Sequence, residues 1–301
     1  CPWQNEILDG LLGNDLLSFH TQYHCNNFLD TVDRAIEAMV DMERFSVTAG
    51  GHVTTVRPQP ISIDPDLAQS YLPDDLEAAE QKLRRHLHLR HEAILVGIDR
   101  VDYTKGIPER FHAVDRLLTL HPEWAGNVSL IQVGAPSRVH IPAYRHLNDQ
   151  LQMLADDINW RHGRDGWRPI VFLNEHQGPE QIFTLNRIAA GCVVSSLHDG
   201  MNLVAKEFVA ARGDHRGVLV LSRFTGAARE LQGAVLINPY AIDEFAEALH
   251  QALTMPTEEQ ERRMRRMRHQ VADNNVYRWA GMLLSKMSQL ADVGQFTEEV
   301  L

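Results

Sequence analysis

From Glu92 onward, short apolar runs alternate with segments of helical period. The runs fall at 93–98, 128–133, 169–173, 192–197, 218–221 and 234–237. They are mostly apolar along their length rather than alternating, which suits strands covered on both faces. Segments of helical period fall between or after them at about 108–120, 141–157, 179–190, 202–212, 226–232 and 242–254. Helices of that length can cross over one face of a sheet, so the pattern predicts an α/β fold with a doubly wound parallel sheet.

Residues 1–65 follow a different pattern. A short helix is expected near Glu6–Leu12, an apolar run at Asp15–Phe19 and a longer helix from about Thr21 to Met42. The alternating stretch Phe45–Val56, broken by Gly50 and Gly51, predicts a hairpin. Pro58, Pro60 and Pro65 mark 57–66 as a linker. A charged helix follows at about 74–88, and two helices follow Pro256, the second with Trp279, Met282, Leu283, Leu284 and Met287 on one side. Three segments result: 1–65, 66–275 and a terminal helix at 276–301. The chain opens on Cys1-Pro2-Trp3 without an initiator Met, which predicts a piece of a longer protein. On that view Leu11, Leu12, Leu16, Leu17 and Phe19 lack strands to pair with and are expected to be loosely packed or exposed.

Composition narrows the class. The chain has 301 residues, 44% of them hydrophobic and 23% charged, a globular balance. No apolar run reaches the roughly 18–20 residues that span a bilayer, so a soluble chain with no membrane partner is expected. A net charge of −11 is a poor match to a nucleic acid bound over a wide surface, yet allows a small anion held by a few cations. Three widely spaced cysteines outside any C-x-x-C pattern predict neither a disulfide framework nor a cysteine metal site, and favour a cytoplasmic setting.

Three loops that follow strands carry the candidate chemistry, where open α/β sheets bind their ligands. Asp99-Arg100-Val101-Asp102-Tyr103-Thr104-Lys105-Gly106 offers two cations, Arg100 and Lys105, and a glycine that permits close backbone approach. They would hold an anion, or else be solvated charges neutralised by Asp99 and Asp102. His198-Asp199-Gly200-Met201-Asn202-Leu203-Val204 runs into a helix whose first-turn amides suit a phosphate. Asp199 would accept hydroxyl hydrogen bonds or cap the helix, Asn202 would be cap or ligand, and Glu207 would reach a diol such as a ribose or be an ordinary exposed residue. In Gly134-Ala135-Pro136-Ser137-Arg138, the arginine could clamp a further phosphate. That is more cations than one diphosphate needs, so two anionic ligands are expected. His20 and His24 stand four apart but lack a third ligand, and the arginines of 262–268 follow Glu258, Glu259 and Glu261, as on a solvated amphipathic helix.

Those motifs, Asp99–Arg110, Gln132–Arg138, Phe172–His176, Asp199–Ala211, Gly217–Gly226 and Gly233–Tyr240, resemble the bacterial trehalose-6-phosphate synthases. These are retaining nucleotide-sugar glycosyltransferases of the two-Rossmann-domain GT-B type. The resemblance implies that 1–65 is the end of an N-terminal acceptor domain, that 66–275 is the donor-binding domain, and that the terminal helix crosses back toward the N-terminal domain. It implies UDP-glucose as donor and glucose 6-phosphate as acceptor, with glycerol 3-phosphate in a sister synthase. A non-catalytic nucleotide-sugar-binding module is the other class. By motif, Arg100 and Lys105 would hold the diphosphate and Asp199 the glucose hydroxyls. The Gly200, Met201, Asn202, Leu203 and Val204 backbone would meet phosphate and sugar, and Glu207 the ribose. Gln177 would lie near the base and Arg138 at the acceptor phosphate. The implied transfer is front-face, with no metal or other cofactor, in a full-length protein that is a possible homo-oligomer.

Overall fold

The computed structural model describes residues 1–90 and 92–298; the last three residues of the expected terminal helix, 299–301, lie outside it. Residues 63–273 form one compact unit, and residues 1–62 with the chain from Asn274 onward form a second.

In the larger unit the six apolar runs become β5 (Ala93–Arg100), β6 (Val128–Ala135), β7 (Ile170–Leu173), β8 (Gly191–Val194), β9 (Val218–Ser222) and β10 (Val235–Ile237). They pair in parallel in the order β10-β9-β8-β5-β6-β7. The first strand, β5, is therefore central, and the strand order reverses between it and β8. Helices α5 (Ile107–Leu120), α6 (Pro142–His162) and α9 (Ile242–Thr254) pack together on one side. A second group comprises α3 (Pro65–Ser70), α4 (Leu76–His86), α7 (Pro179–Ile188), α8 (Leu203–Ala211) and α10 (Thr257–Asp273). The expected doubly wound architecture is what forms. Continuous burial of β8 and β9 explains their uninterrupted apolar sequences.

Three local expectations change. The helix expected at 226–232 is a single 3₁₀ turn, Gly226–Arg229, because the amides of Gly226 and Ala227 bond the carbonyls of Asp199 and Met201 instead. A short helix, α3, starts inside the expected linker, with Pro65 in its first turn and the Asp64 carboxylate accepting from the Asp66 and Leu67 amides. Helix α6 runs to His162 rather than 157, its added turn anchored by buried Ile158 and by Asn159, which exchanges two hydrogen bonds with Ile170. Three arginines of α10 are paired along their own helix, Arg262 and Arg263 with Glu259 and Arg265 with Glu261, as expected of a solvated face, while Arg266 bonds Gln232 outside it. Arg268 instead bonds the carbonyls of Val209 and Ala210 at the end of α8.

The smaller unit holds α1 (Gln4–Leu12), β1 (Leu16–Phe19), α2 (Gln22–Ala35), β2 (Met39–Asp41), β3 (Ser46–Ala49), β4 (His52–Pro58) and α11 (Val276–Glu298). Its sheet has the order β1-β4-β3-β2. The hairpin forms as expected: Gly50 and Gly51 have φ of 59° and 84°, as a two-residue turn between twisted strands requires. The expected helix to Met42 is corrected. It ends at Ala35, and Met39–Asp41 pairs with β3, because Ile36 is already extended and Asp41 caps the following turn through the Glu43 and Arg44 amides. The expectation of loose apolar residues is corrected too. Leu12 is buried, and Leu11, Leu17 and Phe19 pack against a core of Leu8, Cys25, Phe28, Leu29, Val32, Val47 and Val56. Parallel pairing of β1 with β4 orders that segment, and Leu16 is half-buried there. Among the described residues no helix is long and apolar enough to cross a membrane.

Candidate functional site

At the carboxyl end of β5 the chain turns through 101–106 into α5, and the turn is fixed from several directions. Asp102 accepts from the Thr104 amide at 2.9 Å and the Thr104 hydroxyl at 2.8 Å. The Leu197 amide donates to the Thr104 carbonyl at 2.7 Å, and the Ser195 hydroxyl reaches the carbonyls of Gly106 (2.7 Å) and Lys105 (3.2 Å). Gly106 has φ 62°, and a Cβ there would lie 2.1 Å from the Ser195 carbonyl oxygen. The loop is thus latched to the segment that follows β8, at the point where strand order reverses.

Beneath the loop lies Arg110, which the sequence reading did not single out. Its side chain is fully buried and donates to Asp99 (2.7 Å), Gln132 (2.5 Å) and the Ser195 hydroxyl (3.1 Å). Gly97 makes the room, since a Cβ there would come within 2.2 Å of the guanidinium. Burial pushes the Asp99 carboxyl up, against the opposing pull of Arg110. Burial also raises Asp102, but the Thr104 amide and hydroxyl, the Tyr144 hydroxyl and Arg138 outweigh it and hold the carboxyl below its usual range. Asp99 and Asp102 are therefore engaged elsewhere and do not pair directly with Arg100 or Lys105.

Lys105 instead crosses to the next loop, its Nζ 2.7 Å from Asp199 Oδ2, with both side chains less than a fifth exposed. The Ser196 hydroxyl (3.3 Å) and Asn202 Nδ2 (3.1 Å) donate to the same oxygen. Asn202 stands at φ 79°, and its Oδ1 accepts from the Ala205 amide at 3.0 Å. The capping role left open between Asp199 and Asn202 falls to Asn202, which leaves Asp199 facing the lysine. Helix α8 starts at Leu203, so the amides of its first turn, Leu203 and Val204 included, open at this edge. Gly200 and buried Met201 lie against the loop after β9: the Asp199 amide bonds the Phe224 carbonyl, and a Cβ on Gly226 would fall 2.0 Å from the Gly200 carbonyl oxygen. Glu207, one turn into α8, is half-buried rather than exposed and has no polar partner among the described residues. Burial alone raises its carboxyl above the usual range.

The other candidates share the sheet edge without joining this cluster. Arg100 ends β5 with an exposed side chain that no ion pair engages among the described residues. Arg138, at φ 50° in the loop after β6, is half exposed, donates to the Tyr144 hydroxyl at 2.5 Å and lies 3.9 Å from Asp102. Tyr144 in turn donates to Asp102 at 3.2 Å, so Arg138 is tied to the first loop through that carboxylate. Gln177, between β7 and α7, bonds among the described residues only its neighbour Glu175, at 3.0 Å. His20 and His24 belong to no metal-holding group of three side chains among the described residues. Cys25 and Cys192 are buried free thiols and Cys1 an exposed one; burial pushes the Cys192 thiol up to about 12.

Comparison with known proteins adds independent findings. The chain is 34% identical over 294 residues to the Schizosaccharomyces pombe alpha,alpha-trehalose-phosphate synthase [UDP-forming], covering 98% of this chain and 55% of that one. An Escherichia coli structure bound with UDP-2-fluoro glucose superposes with a TM-score of 0.90 at 35% identity, over 96% of this chain and 64% of that one. A Burkholderia xenovorans alpha,alpha-trehalose-phosphate synthase (UDP-forming) in complex with glucose-6-phosphate gives 0.89 at 34%, over 95% and 64%. The chain thus spans about half the length of the curated relatives it matches, and its architecture is a partial GT-B fold. Residues 1–289 match the model of glycosyltransferase family 20, and with that match and these likenesses the chain belongs to glycosyltransferase family 20.

Proposed function

We propose that the chain is the donor-binding part of a retaining glucosyltransferase that moves glucose from UDP-glucose to glucose 6-phosphate, giving α,α-trehalose 6-phosphate and UDP. The observation that carries the proposal is the Lys105–Asp199 pair, seated at the strand-order reversal beside the amino end of α8. Relatives named as UDP-forming trehalose-phosphate synthases and the two liganded structures support the choice of substrates.

In this mechanism the donor diphosphate takes Lys105 and exposed Arg100 as counter-ions and lies at the amides that open α8. Asp199, released from the lysine, accepts glucose hydroxyls while Asn202 holds the loop. Glu207 accepts from the ribose diol, which supplies the partners its carboxylate lacks. The bond from the anomeric carbon to the diphosphate oxygen breaks, and Arg100 and Lys105 stabilise the charge left on that oxygen. The acceptor hydroxyl attacks the same face and passes its proton to the departing phosphate oxygen. Arg138, already oriented by Tyr144, binds the acceptor phosphate.

Calorimetry with UDP tests the donor half on the chain itself: heat of binding is expected, lost in Lys105→Ala and kept in Arg138→Ala. In a protein extended to the length of its relatives, Arg100→Ala or Lys105→Ala should lower kcat by about 10²-fold or more, and Arg138→Ala should act mainly on the KM of the acceptor. A folded chain with no UDP heat, or variants with near-normal kcat, would overturn the assignment.

A further inference from the structure

At the opposite end of the same unit, α5 stops and residues 121–124 turn toward the start of β6. There the His121 ring stacks on that of His250 from α9, centroids 3.7 Å apart and planes 5° apart. Glu123 lies 3.4 Å from His121 Nδ1 and Glu247 lies 3.1 Å from His121 Nε2. The Trp124 indole N–H donates to His250 Nδ1 at 3.0 Å. One ligand atom each from His121, Glu123 and His250 falls within 4.8 Å of the others.

The hydrogen bonds decide what this cluster suits. A neutral imidazole carries one proton. With Glu247 accepting it at Nε2, the lone pair at His121 Nδ1 faces the Glu123 carboxylate, acceptor against acceptor, an arrangement that either a second proton or a bound cation resolves. A carboxylate on the remote ring nitrogen is also how metal-binding histidines are oriented. His250 presents its own lone pair at Nδ1, held by an indole N–H. The His121 backbone is fixed by a 2.8 Å bond to the Leu117 carbonyl and His250 stands on a regular helix, so both backbones can stay in place while one imidazole turns out of the parallel stack to aim its lone pair at a shared ion and exposed Glu123 closes on it.

We propose that His121, His250 and Glu123 form a site for a divalent transition metal of the zinc type, with Glu247 as the orienting carboxylate. Two imidazoles and a carboxylate favour such an ion over magnesium or calcium, which take oxygen ligands. The metal ties the end of α5 to α9, far along the chain, and so acts on stability rather than on the donor site. Its entry exchanges the Trp124–His250 hydrogen bond for a coordination bond, which makes the indole its competitor.

The test is calorimetry on the chelator-treated chain with zinc chloride, with magnesium chloride as control. One zinc ion per chain and no magnesium heat are expected, with affinity at least tenfold weaker in His121→Ala and in His250→Ala. Glu247→Gln should weaken binding by about tenfold, as for other outer carboxylates. Trp124→Phe keeps the ring and removes the competing N–H, so it should bind zinc more tightly than the parent. Saturating zinc should raise the melting temperature by roughly 5 °C in the parent and not in the histidine variants; His250→Gln serves if His250→Ala does not fold. Absence of zinc heat, heat that survives both histidine substitutions, heat lost in Cys1→Ser instead, or weaker binding in Trp124→Phe would each overturn the proposal.

Discussion

A carboxylate that loses water on folding must find partners or resist ionising, and Glu207 has found none within the described chain. Because its folded pKa is raised, the unfolded chain releases this proton first as pH climbs. Its contribution is favourable below the unfolded value and is lost as pH rises through the folded one. Glu207→Gln should therefore raise the urea midpoint at pH 7.5 and flatten the fall in stability across that interval, while weakening UDP binding. A lower midpoint at pH 7.5 would show that the carboxylate is satisfied. Lys105 and Asp199 stand out in the sequence as candidates because they follow apolar runs at loop positions, and Glu207 because it lies one turn into the helix that Asp199 precedes. Arg110 does not, since a charged residue in a helix is normally assigned to the surface. Only the packing of Gly97, Asp99, Gln132 and Ser195 around it shows otherwise.

Between elements, the contact that matters is the Ser195 hydroxyl, which joins the buried Arg110 to the backbone that presents Lys105. Ser195→Ala leaves one guanidinium N–H and two carbonyls without this partner, a loss of about 1–3 kcal/mol. Thermal unfolding should show it, and UDP affinity should fall even though Ser195 lies beneath the loop. Unchanged affinity with lowered stability would confine Ser195 to a structural role. At this scale the sequence was clearest where an element is buried on both faces, as for the six strands of the larger unit. It failed where partners decide. The end of α2 is set by pairing of Met39–Asp41 with β3, and 226–229 is shortened because the loop after β8 takes its amides. The start of α3 was readable from Asp64-Pro65 but was masked by the neighbouring prolines.

For the molecule as a whole, the relatives are nearly twice as long as the chain, and transfer needs an acceptor held against the anomeric carbon, positioning that can supply roughly 7–11 kcal/mol of the barrier. The 301-residue chain should therefore release no UDP from UDP-glucose and glucose 6-phosphate at a measurable rate. Turnover near 1 s⁻¹, within the ordinary ~1–10³ s⁻¹ range, would show that it is sufficient by itself.

The two crowded glycines of the site carry a genetic consequence. Every missense change of a single base in a glycine codon installs a Cβ. At Gly106 that atom would strike the Ser195 carbonyl, and at Gly226 the Gly200 carbonyl, neither of which is the tip of a flexible side chain. In a saturation library of a protein extended to the length of its relatives and selected for the proposed synthesis, both positions should be as bare of survivors as Lys105, although neither has a side chain to offer a substrate. Gly50 and Gly51, with open space around them, should still admit asparagine or aspartate, which tolerate a positive φ.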